Sequence, residues 1–368
     1  MLYTTEKLLK FPVRWRKLPG VDYRKIAVIA QSVLVTLLLF SSNSALRPSL
    51  KTITATNNRY RDACDRSQAT TTGQQLQLPF KKSTVLVPPG SREFPRGLAL
   101  VKSETYPAYY CFTFHPTRDK FVSGRMFRKG VFDENVLEFV RQAVIRADSK
   151  HEPIGDCHVI DAGANIGVVS LYAAALGCHV YSFEMQSQVA NVFNMSIHLN
   201  DGFSRKINLI VGAIHPQSGM YIDISESVSK EMENAGGVTT LLSDFREGSA
   251  IDETSQVNTV VVQDQLPPGI VVDVMKIDVE GAETLVLAST KELWAARRIK
   301  HIIMETRRTQ TGMFADLFTA GYICGFGSKI YRENNSFMNA LKLHLNQLKP
   351  TGYVDCFCHL EGQEFFSA

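Results

Sequence analysis

Short apolar runs alternate with amphipathic segments through the second half of the chain. The apolar runs predict strands at His158 to Ala162, His179 to Glu184, Ile207 to Ile214, Thr259 to Gln263, Val271 to Asp278 and His301 to Glu305. Helical periodicity between them predicts helices at Val168 to Leu176, Gln188 to Leu199, Ala282 to Ala288 and Gly312 to Ala320. Strands that are apolar on both faces and separated by helices are typical of a parallel sheet covered on both sides. The pattern therefore predicts an α/β fold with a doubly wound, mostly parallel sheet.

Three further segments complete this fold. A lead-in helix is predicted within Phe132 to Ala147, because Val136, Phe139, Val140, Val144 and Ile145 share one helical face. Residues 215 to 256 are rich in Ser, Glu and Gly, and they are expected to form loops near the rim of the functional site. Gly321 to Gly325 and Tyr353 to Leu360 are expected to add two strands that close the sheet.

The beginning of the chain has a different pattern. A charge-free run covers residues 26 to 46 and follows seven Lys and Arg residues within the first 25. About 20 apolar residues cross a bilayer as a helix, and a basic flank stays in the cytosol. This predicts a single-pass type II membrane protein of the endomembrane system (Golgi or endoplasmic reticulum) with a luminal body. A cleaved signal peptide, which would release a secreted protein, is the alternative.

These patterns divide the chain into five parts. Residues 1 to 25 form the cytosolic tail, 26 to 46 the transmembrane signal anchor, 47 to 91 a polar and flexible stem, 92 to 150 the lead-in segment, and 151 to 368 the α/β domain.

Charge excludes one class of partner. The chain has a net charge of +4, yet its first 25 residues carry +5, so the remainder carries −1. A neutral body gives no reason to expect nucleic acid as a partner.

Seven cysteines are too few for a disulfide scaffold in a chain of this length. In a luminal body Cys324 could pair with Cys356 or Cys358, and Cys64 with Cys111. Cys157 and Cys178, at the starts of apolar strands, are predicted to be free buried thiols.

The first predicted strand ends in Asp161 and runs through Gly163 and Gly167 into a helix. The glycines permit a tight turn and close approach of a ligand, and Glu184 at the end of the second strand could accept hydrogen bonds from a ribose diol. The spacing lacks the GxGxxG pattern of a pyrophosphate-binding loop, and Asp161 would repel phosphates. The motif therefore favours S-adenosylmethionine, whose ammonium and sulfonium groups are cationic, over NAD.

The fifth predicted strand delivers Asp278 and Glu280 to the carboxyl edge of the sheet, where open α/β proteins bind ligands. Two carboxylates beside a sulfonium could stabilise its charge, hold an acceptor hydroxyl or remove its proton. Glu283 suits either a catalytic role or a helix N-terminal charge. The histidines are scattered and form no ligand pair, so no metal site is expected.

Four segments of the chain resemble the FkbM-type methyltransferases over about residues 155 to 310: VIDAGANIG, YSFEM, KIDVEGAE and IIMET. The resemblance implies a class I, Rossmann-like fold that uses S-adenosyl-L-methionine to methylate hydroxyls, often of sugars. It implies catalytic roles for Asp278 and Glu280, and cofactor contacts at Asp161, Gly163, Asn165, Gly167, Glu184 and Asp264.

The expected acceptor is therefore a hydroxyl of a small molecule or glycan. Two other functions stay open: a type II glycosyltransferase with Asp278 and Glu280 as a metal-binding pair, and an anchored interaction protein that keeps the fold without activity.

Overall fold

A computed structural model describes residues 97–116, 118–145, 156–224, 245–247, 256–349 and 352–363. The predicted tail, signal anchor and stem lie outside these residues. Within them, every helix is too short or too polar to span a bilayer.

The secondary structure follows the predicted alternation of strands and helices. The strands are β1 (Leu98–Lys102), β2 (Tyr110–Phe114), β3 (His158–Ala162), β4 (His179–Glu184), β5 (Ile207–Val211), β6 (Ala213–Ile214), β7 (Met220–Asp223), β8 (Phe245–Glu247), β9 (Gln256–Val260), β10 (Val272–Ile277), β11 (Ile299–Thr306), β12 (Tyr322–Phe326), β13 (Lys329–Tyr331) and β14 (Val354–Leu360). The helices are α1 (Val122–Lys129), α2 (Glu134–Val144), α3 (Val168–Ala175), α4 (Ser187–Leu199), α5 (Glu283–Ser289), α6 (Lys291–Ala295), α7 (Phe314–Thr319) and α8 (Asn334–Gln347). Single 3₁₀ turns lie at Phe203–Arg205, Gln263–Gln265 and Arg308–Met313.

An eight-stranded sheet forms the centre of the described body, in the order β13-β12-β14-β11-β10-β3-β4-β5. The pairs from β11 to β5 are parallel, whereas β14 runs antiparallel between β11 and β12. All six residues of β10 are buried, as expected for a central strand covered on both faces. The structure confirms the doubly wound, mostly parallel sheet and the two closing strands.

A second, smaller sheet corrects two predictions. The predicted strand at Thr259 to Gln263 is β9, which ends at Val260 and lies outside the central sheet, in the order β6-β9-β7-β8. β7 and β8 fall in the insertion that was expected to form loops.

The single strand predicted for Ile207 to Ile214 divides at Gly212. A Cβ atom there would lie 2.6 Å from Val260 Cγ1, so the chain can cross from one sheet to the other only with a glycine at this point.

The lead-in helix α2 packs on the central sheet as predicted. Its Phe139 is completely buried, and the ring centroid lies 5.5 Å from that of His359 on β14. The predicted apolar face of α2 therefore covers one side of the sheet.

The β1–β2 hairpin docks on α4, where the Phe112 amide donates to Ser196 Oγ at 2.8 Å.

Two disulfides join neighbouring strands. Cys324 pairs with Cys358 between β12 and β14, which is one of the two pairings left open by the sequence. Cys157 pairs with Cys178, so the prediction that these two residues are free thiols is wrong. Cys157 immediately precedes β3 and Cys178 immediately precedes β4. The first residues of these two parallel strands, His158 and His179, lie directly opposite one another, and this register brings the two sulfurs together. Cys111 is a free, buried thiol.

Candidate active site

A cleft lies at the carboxyl edge of the central sheet, beside the ends of β3, β4 and β10. The cleft opens to solvent. Its walls combine apolar side chains with carboxylates: Gly163, Asn165, Phe183, Glu184, Met185, Gln186, Gly212, Ala213, Ile214, Asp278, Val279, Glu280, Ala282 and Val286. Five of the eight residues predicted to form the site therefore lie in one cleft: Gly163, Asn165, Glu184, Asp278 and Glu280.

The loop between β3 and α3 owes its shape to its two glycines. Gly163 has φ +79°, and a Cβ atom there would lie 1.7 Å from the Asp278 carbonyl oxygen. Gly167 has φ +87°, and its Cβ would lie 2.1 Å from the ring of Phe193 on α4. Gly163 thus allows two loops to meet at the cleft, while Gly167 allows α3 to pack against α4 behind it. Gly167 supports the cleft and does not line it.

Glu184 and Asn165 are held together by the backbone. The Asn165 amide donates to Glu184 Oε2 and the Gln186 amide donates to Glu184 Oε1, each at 2.8 Å. Asn165 has φ +53°, a conformation that Asn tolerates better than most residues. Burial raises the pKa of Glu184 to about 7, although these two amides and Lys276 oppose the rise. One lone pair of each oxygen remains for a diol at the cleft wall.

The loop after β10 turns sharply through residues with positive φ, +54° at Glu280 and +115° at Gly281. Glu283 fixes this loop, because its Oε1 accepts from the amides of Gly281 at 3.0 Å and Val279 at 3.3 Å. Gln310 donates to the other Glu283 oxygen and to the Gly281 carbonyl. Glu283 is completely buried and lies outside the cleft wall, so of its two predicted roles the structural one applies.

Glu280 and Asp278 have different partners. Glu280 Oε2 accepts from Arg307 Nη2 at 2.6 Å, and Arg307 also donates to Glu305 Oε1 at 2.9 Å. Asp278 Oδ2 is 3.5 Å from Lys276 Nζ, and a third of the Asp278 side chain is exposed. Asp278 is therefore the carboxylate better able to accept a new hydrogen bond.

Asp161 does not occupy the position predicted for it. It is completely buried behind the cleft wall, where Ser170 donates to its Oδ2 at 2.6 Å and Lys276 Nζ lies 3.4 Å from its Oδ1. A direct contact between Asp161 and the ammonium group of a cofactor would require the Lys276 side chain to move.

Asp264 also lies elsewhere. It is exposed in the 3₁₀ turn after β9 and lines a separate cleft with residues such as Pro216 and Gln217. The structure does not bring Asp264 together with the other predicted site residues.

Sequence reasoning missed further charged groups near Asp278. Asp133 precedes α2, Asp355 lies in β14, and Glu305 lies directly opposite Asp355 on β11. Their pKa values are raised to about 7, 6 and 8 respectively, mainly by burial, and the Asp278 charge contributes to each rise. Asp355 reaches this edge because β14 runs antiparallel to β11, which no local sequence signal reveals.

The residues of the cleft fit S-adenosylmethionine. Glu184 suits the ribose diol, Ile214 and Val286 offer apolar contact to a base, and Asp278 and Glu280 supply negative charge for a cationic sulfonium. This donor set agrees with the chemistry expected of the sequence motifs.

Comparison with protein families gives a match over part of the chain. Residues 161–328 match the model of the Methyltransferase FkbM domain. A comparison with curated proteins found no match.

Several solved structures are similar at low identity. Precorrin-6y C5,15-methyltransferase from Geobacter metallireducens is 12% identical, with a TM-score of 0.33 and coverage of 63% of this chain and 90% of its own. A SAM-dependent methyltransferase from Agrobacterium tumefaciens is 13% identical, with a TM-score of 0.35 and coverage of 74% and 72%. TrmK of M. capricolum, in complex with S-adenosyl-homocysteine, is 9% identical, with a TM-score of 0.32 and coverage of 65% and 71%.

The family match agrees with the motifs from which the resemblance was inferred, and it decides against a glycosyltransferase. Residues 161–328 match the FkbM methyltransferase domain, and the protein is an S-adenosylmethionine-dependent methyltransferase.

Proposed function

We propose that the protein transfers a methyl group to a hydroxyl of a sugar or glycoconjugate. The observation that carries this proposal is the position of Asp278, which lines the cofactor cleft and is close enough to Asp133, Glu305 and Asp355 for its charge to raise their pKa values. Carboxylates accept hydrogen bonds from hydroxyls, so this edge suits a neutral polyhydroxyl acceptor better than an anionic one.

The chain contributes mainly by positioning and by charge. Bound S-adenosylmethionine supplies an electrophilic methyl group. Glu184 holds the nucleoside end, and Asp278 accepts a hydrogen bond from the acceptor hydroxyl. When the acceptor hydroxyl is methylated, Asp278 would take up the proton that this hydroxyl loses. Glu280, already paired with Arg307, supplies negative charge without taking the proton.

Labelling tests this activity. The purified full chain is incubated with S-adenosylmethionine labelled at the methyl group and with glycan and glycolipid extracts, and the labelled product is identified by mass spectrometry. Label in an ether-linked methyl of a sugar, strongly reduced but still measurable in Asp278→Asn and retained in the variant Glu138→Gln, supports the proposal. Label confined to groups other than sugar hydroxyls overturns it.

We further propose that the domain is luminal and anchored by residues 26 to 46. The basic flank of that segment supports this orientation. The two disulfides also support it, because disulfides persist in oxidising compartments. Protease added to sealed microsomes should leave the domain intact until detergent is added. Digestion without detergent overturns the orientation, and release of the domain into the medium supports signal cleavage instead.

A further inference from the structure

Lys276 lies where the two loops of the active site meet. It belongs to β10, is only 6% exposed, and its Nζ donates to the Gly163 carbonyl oxygen at 2.7 Å. The same nitrogen lies 3.4 Å from Asp161 Oδ1 and 3.5 Å from Asp278 Oδ2. One ammonium group therefore contacts the cofactor loop, the loop after β10 and the buried end of β3.

The two carboxylates on either side of Lys276 differ in freedom. Asp161 is completely buried and is held by Ser170, whereas Asp278 is partly exposed in the cleft. Asp161 is held in place, so the ammonium group between the two carboxylates can act as a rigid support for the partly exposed Asp278.

Lys276 keeps its charge in this site. Burial alone would lower its pKa, but Asp278 and Asp161 raise it above its ordinary value. A buried ammonium is retained only when it is paired and hydrogen-bonded, and these contacts meet both conditions.

We propose that Lys276 is a positioning residue that sets the place of Asp278 relative to the cofactor loop. It acts through Asp278, is anchored by the Gly163 carbonyl and does not itself contact the reacting atoms. This inference rests on the proposed function, because it assumes that Asp278 meets the acceptor.

Charge at Lys276 also affects the other acids of the site. The groups that face it are Asp161 on β3, Asp278 after β10, Asp133 before α2, Glu184 on β4 and Asp355 on β14. Lys276 lowers the pKa values of Asp133, Glu184 and Asp355. Removing its charge makes these carboxylates harder to ionise, so a reaction that needs them ionised should require a higher pH.

The test compares Lys276→Gln with Lys276→Arg in the full chain, each with and without Asp278→Asn. At saturating S-adenosylmethionine, Lys276→Gln should lower kcat roughly 10- to 100-fold, the usual cost of a misplaced catalytic group. It should also move the acidic limb of the pH–rate profile upward by about one unit or more. Lys276→Arg should keep the wild-type pH profile, because it keeps the charge. In the Asp278→Asn background, Lys276→Gln should change kcat by less than about twofold, since coupled residues are not additive.

The outcomes are separable. An unchanged pH profile in Lys276→Gln, or its full effect in the Asp278→Asn background, overturns the role of Lys276. A wild-type protein that binds S-adenosylmethionine but methylates no hydroxyl overturns the proposed function instead. Should Lys276→Gln fail to fold, Asp161→Asn removes the fixed support while leaving Lys276 paired with Asp278. It should then lower kcat several-fold, and an unchanged kcat overturns the proposal.

Discussion

Replacing Glu184 by Gln tests the cofactor site directly. Each Glu184 oxygen accepts one backbone amide at 2.8 Å, from Asn165 or Gln186. In the variant, the new NH₂ group meets one of these donors, and one ribose hydroxyl loses a charged acceptor. A hydrogen bond to a charged group contributes about 1.5–3 kcal/mol. We therefore expect S-adenosylmethionine to bind about 10- to 100-fold more weakly, at about 1.4 kcal/mol per tenfold change.

The same variant should remove a pH dependence. Burial raises the pKa of Glu184 to about 7, and protonation of the carboxyl occupies an oxygen that the diol needs. Affinity of the wild type should thus fall as the pH drops below 7, by up to about tenfold per unit. The effect on folding has the opposite sign. The raised pKa stabilises the fold below about 4.5, and this contribution is lost as the pH rises through about 7.

Isothermal titration calorimetry at pH 6, 7 and 8 measures both effects. Glu138→Gln, on the partly exposed side of α2, makes the same chemical change away from the cleft and should bind like the wild type. Asp264→Asn should also do so, because its carboxylate lies outside the cleft. The reasoning is refuted if Glu184→Gln binds within threefold of the wild type, or if its affinity keeps the wild-type dependence on pH.

Three further predictions concern stability. Gly163→Ala should lower the free energy of unfolding by roughly 2 kcal/mol or more beyond the loss caused by Gly269→Ala. Both glycines have positive φ, but only Gly163 closely approaches another backbone segment. Equal losses of unfolding free energy in urea titrations would contradict this prediction. The pKa of His301 is lowered to about 3, mainly by burial and then by His359. The neutral imidazole therefore stabilises the fold above about pH 6.5, and this stabilisation should be lost as the pH falls toward 3, by up to about 1.4 kcal/mol per pH unit. His301→Gln should show a shallower slope than the wild type over that range, and parallel curves would argue against a neutral buried imidazole. Replacing both Cys157 and Cys178 by Ser should cost about 3 kcal/mol, the value for a loop of this size; thiol-labelling of both cysteines in the unreduced wild type would show instead that they are not bridged.

The sequence by itself determined the strand–helix order and the two loops of the site. β3 and β4 match their predicted bounds, because continuous apolar runs bounded by turn residues encode central strands locally. Gly163 and Glu184 could be assigned for the same reason, since a ligand at a parallel sheet binds at the carboxyl ends of its strands.

Tertiary structure decided which side chains face the cleft and which support it. Asp161 and Asp278 both end strands and look equivalent in sequence, yet only Asp278 reaches the cleft, because Lys276 and Ser170 hold Asp161 in the interior. The register between β3 and β4 paired Cys157 with Cys178. The antiparallel insertion of β14 brought Asp355 opposite Glu305. Each of these outcomes depends on contacts between residues far apart in the chain, and local periodicity does not show which distant segments will pair.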